Sequence, residues 1–162
     1  METIAVYWES RIKTYGFQRV IDLALIELSC PLSEIKSLGE ILSQDDLQIL
    51  SPKFIIAQES DHKITFIFCL PGKEGKDFHA SLKKTPRPTL HRYIYPVSII
   101  FFYGPHFGDR YGIADATFST LLKADIKIIA SGCSSASVYL VLAQDDIDKA
   151  EEVLSETFEV AK

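Results

Sequence analysis

One order of apolar periodicities occurs twice in this chain, and that duplication constrains the fold more than any other feature. In the first half, residues 20–28 (VIDLALIEL) form a near-continuous apolar run that reads as a buried strand. Behind Pro31, a residue tolerated in the first turn of a helix, Leu32, Ile35, Leu38, Ile41 and Leu42 recur at helical spacing. Residues 47–57, interrupted by Ser51-Pro52, and residues 64–70 then flank the polar turn Glu59-Ser60-Asp61-His62 and read as an antiparallel hairpin. After the glycine-rich 71–75 (PGKEG), a short helix is expected over 77–84, stopped by Thr85-Pro86-Arg87-Pro88. The order is strand, helix, strand, strand, helix.

The second half runs the same way. Residues 97–103 (VSIIFFY) are an apolar strand, and residues 104–112 (GPHFGDRYG) a loop. Ala114, Phe118, Leu121 and Leu122 mark a helix that ends near 123–125. Residues 126–130 read as a strand, 131–135 as a turn and 137–142 as the partner strand. Asp145 is expected to cap a last helix whose Ile147, Ala150, Val153, Leu154 and Phe158 share a face. Val20 answers Val97 and Ile64 answers Val138, 77 and 74 residues further on.

A unit of this order, completed by one more strand, is the split βαβ arrangement. The expected class is therefore α+β: two ferredoxin-like βαββαβ domains with antiparallel sheets and helices on one face. The first domain is expected over 17–95 and the second over 96–162. Residues 92–95 and the N-terminal 3–8 (TIAVYW) are available as the fourth strands, the latter completing the second domain.

A chain of 162 residues buries about 68–70% of its unfolded surface, enough for such cores without a metal or disulfide. With 17 Lys and Arg against 22 Asp and Glu, the net charge of −5 argues against a nucleic-acid backbone as partner. The longest apolar run is far short of the roughly 20 residues of a membrane-spanning helix. The start of the chain carries Glu2, Trp8 and Glu9 and has no leader pattern, so a cytoplasmic protein is expected. Three cysteines without a CxxC pair suit a reducing compartment.

The most informative local stretch is residues 104–118, where a glycine-rich loop runs straight into a helix start. Such starts present unpaired N–H groups and a partial positive charge, which suits a carboxylate. Two readings stand here: Gly108 and Gly112 make a tight strand-to-helix turn, or they admit a ligand close to the backbone. Asp109 accepts an ammonium group or caps the helix. A thiol enzyme would need Cys133 with His106 as base, and a metal site built from His106 and Asp109 has two ligands where a closed zinc site has four. Phe101, Phe102 and Tyr103 cannot all face one side of a sheet to stack bases, because side chains alternate. They read as core or dimer interface.

The stretch DRYGIADATFSTLLKADIKI (residues 109–128) resembles the loop-helix segment of ACT domains, whose loop usually reads Asp-Arg-Pro-Gly. Residues 132–142 (GCSSASVYLVL), followed by Asp145-Asp146 and Lys149-Ala150, are similar to the end of the regulatory region of aspartate kinases. Here Tyr111 stands for the loop proline and Ala136 for the usual Glu after the serine pair, and the first half has Ser29-Cys30-Pro31-Leu32 in place of the motif. The resemblance implies a tandem ACT region, one domain inserted in the other, that forms a homodimer and regulates a kinase by binding an amino acid such as lysine or threonine. It implies ligand contacts from His106, Gly108, Asp109, Tyr111, Gly112, Ile113, Ser134 and Ser135, with no catalytic residue, metal or cofactor. The alternative is an ACT-like dimerisation module that has lost its ligand.

Overall fold

The computed structural model describes residues 11–42, 51–83, 89–105, 107–108 and 110–160. The N-terminal strand expected at 3–8 lies outside them. The chain is a mixed α/β protein of largely antiparallel sheets and helices, and it divides into two compact units: Val20–Ser98, inserted in the chain, and a host formed by Met1–Arg19 with Ile99–Lys162.

The host begins with β1 (Ile12–Thr14), and β2 (Phe17–Pro31) leads into the inserted unit. A 3-10 turn (Leu32–Glu34) and α1 (Ile35–Leu42) follow directly, with no intervening loop. Next come β3 (Phe54–Ser60), β4 (Lys63–Pro71), α2 (Gly72–Leu82) and β5 (Thr89–Tyr103). The strand order in this unit is β3-β4-β2-β5, and β4 pairs antiparallel with both of its neighbours. Ser60 pairs with Lys63, so Asp61 and His62 alone make the hairpin turn, both with positive φ (51° and 60°), as a type I′ turn requires. Ile26, Leu28, Phe68, Leu70, Phe78 and Leu82 form the core.

Two expectations change here. The helix expected over 77–84 starts at Gly72, because the glycines that read as loop serve close packing instead. A Cβ on Gly75 would stand 2.4 Å from the Ala24 Cβ. The strands expected at 92–95 and 97–103 are one strand, β5, running through an exposed Pro96. Gly39 is a different case. It sits inside α1 with nothing within 4 Å of where a methyl would be added, so Gly39→Ala is expected to raise stability by about 0.5–1 kcal/mol in a urea titration.

In the host, β5 continues from Ile99 and is followed by α3 (Ile113–Lys123), β6 (Ile128–Cys133), β7 (Ser137–Ala143), a 3-10 turn (Gln144–Asp146), α4 (Ile147–Thr157) and β8 (Phe158–Val160). Its strand order is β5-β7-β6, while β1 pairs parallel with β8. Ile100, Phe102, Leu121, Leu140, Leu154 and Phe158 are fully buried. Phe102 faces this core, Tyr103 is exposed, and Phe101 stacks on Tyr139 at 5.3 Å, the alternation expected of a strand.

The strand expected at 126–130 begins later, because residues 124–126 still belong to the helix end. Asp125 takes a left-handed conformation (φ 56°), its N–H donates to the Leu122 carbonyl, and the Ile126 N–H donates to that of Leu121. That is a Schellman stop with Asp where glycine is usual. Residues 131–133, expected in a turn, therefore complete β6. Asp145 does not cap the last helix: it lies in the 3-10 turn, and neither that turn nor α4 has a side-chain cap. Phe158, expected on the helix face, opens β8.

Candidate functional site

The loop between β5 and α3 is pinned at both ends. At its start, the Tyr103 carbonyl accepts from the Tyr15 N–H at 2.9 Å and from the Thr14 hydroxyl at 2.8 Å. Gly104 passes so close to the chain that a Cβ there would lie 2.2 Å from the Lys13 carbonyl oxygen. Phe107 then drops into the core, edge-on to Phe102 with ring centres 5.9 Å apart. At the far end Gly112 precedes α3 with φ 86° and its carbonyl accepts from the Ala116 N–H at 2.9 Å. Among the described residues no side chain caps the start of α3, and the first N–H groups of a helix favour an anion.

Opposite the helix start, the β6–β7 hairpin is closed by Ser134. Its N–H donates to the Ser137 carbonyl at 2.9 Å, and its Oγ accepts from the Ala136 and Ser137 N–H groups and bonds the Ser137 hydroxyl. Loop, helix start and hairpin together line an open pocket of about 230 Å³. Phe107, Ile113 and Val138 are buried members of the core and line it from below. Arg110, Tyr111, Gly112, Ala114, Cys133 and Ser134 complete its wall.

Of the expected contact residues, Tyr111, Gly112, Ile113 and Ser134 line this cavity. Gly108 and Ser135 stand beside it, the Ser135 carbonyl 3.3 Å from where a Gly108 Cβ would lie. His106 and Asp109 lie outside the described residues. Sequence reasoning missed Arg110, although a cation next to an anion-favouring helix start was a signal in plain view. Phe107 and Val138 carried no such signal, since an apolar residue reads as core whether or not a cavity opens above it.

The rival chemistries gain no support. Burial pushes the Cys133 thiol up, away from the thiolate a nucleophile needs, and raises Cys69 to about 12. All three cysteines are free. Among the described residues no three His, Cys, Asp or Glu side chains cluster as a metal site would require, and no helix is long and apolar enough to cross a membrane. His79 stacks on Tyr93 with ring centres 4.0 Å apart, and burial with the Lys83 charge lowers its pKa.

No protein-family model and no curated protein sequence matches the chain. Solved structures do. The aspartokinase alpha and beta subunits align with a TM-score of 0.72 at 18% identity, covering 89% of this chain and 97% of that one. The regulatory subunit of the Thermus thermophilus aspartate kinase, in a ligand-free form, aligns at 0.68 and 12% identity, covering 90% and 99%. The chain resembles an aspartate-kinase regulatory region. The allosteric aspartate kinase of Clostridium acetobutylicum aligns at 0.74 and 16% identity over 95% of this chain but only 37% of its own length. The aspartate-kinase likeness thus spans a regulatory subunit nearly whole and about a third of a complete kinase. At these identities what is shared is the fold.

Proposed function

We propose that the chain is a tandem ACT-type regulatory module that binds a free amino acid and transmits the binding to an aspartate kinase, as part of it or as its partner, in the cytoplasm. In this reading each unit is a ferredoxin-like domain, the N-terminal segment completes the host, and two copies pair. The observation that carries the reading is the cavity where the loop, the start of α3 and the β6–β7 hairpin converge in a chain with this regulatory fold. A ligand carboxylate would lie at the N–H groups of α3 beside Arg110, with Tyr111, Gly112, Ile113 and Ser134 around it. His106, Gly108, Asp109 and Ser135 are proposed as the surrounding contacts. The resemblance puts lysine and threonine among the effectors. Regulation would follow from different affinities for two domain arrangements, a coupling of about 1–3 kcal/mol.

The inserted unit is not proposed to bind a ligand, since β2 passes into the 3-10 turn and α1 without the loop that makes the host's cavity.

A thermal-denaturation series against the twenty amino acids tests the reading. A ligand at a hundred times its dissociation constant adds about 2.7 kcal/mol, which raises the midpoint of a chain this size by roughly 5–10 °C. Arg110→Ala is expected to remove most of that shift while the unliganded midpoint changes little. A second reading, a ligand-free dimerisation module, draws on Tyr111 and Leu122, which are 99% and 79% exposed on the host. It predicts dimers in sedimentation and no amino-acid response.

A further inference from the structure

We propose that Thr14 is a positioning residue that locks β1 to the floor of the host pocket, so that docking of β1 and occupancy of the pocket rise and fall together. The link to occupancy rests on the ligand-binding reading above and deepens it, by naming the part of the host through which a bound ligand is felt. Thr14 is fully buried, and its hydroxyl is used in both directions: it donates to the Tyr103 carbonyl at 2.8 Å and accepts from the Gly16 N–H at 3.3 Å. Gly16 takes φ 107°, which residues with a side chain rarely adopt, and next to this turn the Tyr15 N–H reaches the same carbonyl at 2.9 Å. One residue beyond Tyr103, a Cβ on Gly104 would stand 2.2 Å from the Lys13 carbonyl oxygen and 2.5 Å from the Phe107 ring. Phe107 lines the pocket and stands edge-on to Phe102. β1 and the pocket floor therefore share Tyr103 and Gly104 as a common support.

Beyond the packing of Ile12 against the host core, β1 is held by a short pairing. Ile12 pairs with Phe158, Lys13 with Glu159 and Thr14 with Val160, three residues against the three of β8. A two-stranded ribbon of this length is marginal by itself, so the bonds at Tyr103 decide whether it stays docked. The Tyr15 and Tyr103 side chains are 58% and 41% exposed, with ring centres 5.4 Å apart. The lock thus lies at the surface, where a segment can open without breaking the core. Linkage works in both directions: a ligand that fixes Phe107 fixes Tyr103 and β1, and release of β1 weakens the ligand by the same factor. The chain passes from Gly16 straight into β2, so a shift of β1 is handed to the strand that leaves the host.

Hydrogen exchange on the full chain, read at the Tyr15, Phe107 and Gly108 amides, tests the lock in the unaltered protein and in Thr14→Val, Thr14→Ser and Gly16→Ala. Thr14→Val keeps the side-chain shape and removes the hydroxyl. Gly16→Ala strains the turn through its φ, with the nearest atom, on Val160, 3.9 Å from the added methyl, and serves where Thr14→Val does not fold. Both are expected to speed exchange at the three amides by about tenfold or more, the size of one lost buried hydrogen bond, and to leave α4 and β7 unchanged. Thr14→Ser should restore the original rates. Faster exchange at Tyr15 without Phe107 and Gly108 overturns the lock, and so does an equal rise in α4 and β7, which would make Thr14 a contributor to general stability. A thermal-shift series with the twenty amino acids, one at a time, tests the linkage. One that raises the midpoint should slow exchange at Tyr15 and bind about tenfold more weakly to Thr14→Val, but not to Thr14→Ser. A stabilising amino acid that leaves Tyr15 exchange untouched overturns the linkage while the regulatory reading stands. Silence from all twenty brings down the ligand-binding reading, and the exchange rates still decide the lock.

Discussion

Replacing Phe102 by alanine is expected to lower stability by about 3–5 kcal/mol, which for a chain of this size is a fall of roughly 6–20 °C in the thermal midpoint. Phe102 is fully buried where four aromatic rings meet, its centre 4.9 Å from Phe158, 5.1 Å from Phe17 and 5.9 Å from Phe107. Removal of the ring forfeits its own transfer energy, and the cavity left among three rigid neighbours collapses poorly. The consequence reaches the ligand cavity, because Phe107 loses the ring it stands against and the floor loses its support. Urea unfolding and the amino-acid response should therefore fail together. A loss under about 1 kcal/mol, the size of an ordinary point mutation, would show that the host core is not organised as described.

Gly104→Ala is expected to destabilise the chain by about 2–4 kcal/mol, from strain together with lost backbone hydrogen bonds. The added methyl would stand 2.2 Å from the Lys13 carbonyl oxygen and 2.5 Å from the Phe107 ring. The ring can rotate aside, but the oxygen belongs to backbone and can move only with β1. Moving β1 strains the bonds from the Tyr15 N–H and the Thr14 hydroxyl to the Tyr103 carbonyl. Gly39→Ala is the control, the same substitution with an opposite sign, since nothing lies near the methyl there. If both variants unfold at the same urea concentration, the close approach at Gly104 does not exist in solution.

The element order was legible because each segment advertises its period. The hairpin of β3 and β4 and the faces of α3 and α4 follow from apolar residues two or three to four apart, a property of the chain alone. The boundaries that shifted did so for reasons that local pattern does not contain. Gly72 and Gly75 read as loop, yet Gly75 is a contact surface for Ala24 and lets α2 begin five residues early. Ile126 reads as the start of a strand, yet its N–H and that of Asp125 close the end of α3. Phe158 continues the helical spacing and still leaves the helix, because β8 pairs with Ile12–Thr14 at the other end of the chain.

The candidate site divides along the same line. By itself the sequence determined that a glycine-rich loop meets a helix start at residues 104–118 and that its motif resembles an ACT loop, since both are properties of adjacent residues. Only the tertiary structure decided that Arg110 shares a cavity with Ser134 and that Phe107, Ile113 and Val138 floor it. Those groups come from a loop, a helix and a hairpin separated by up to 31 residues of chain, and their meeting is set by how β5, β6 and β7 pair. Polarity can be read along a chain, but the side of a cavity on which it falls is fixed by packing alone.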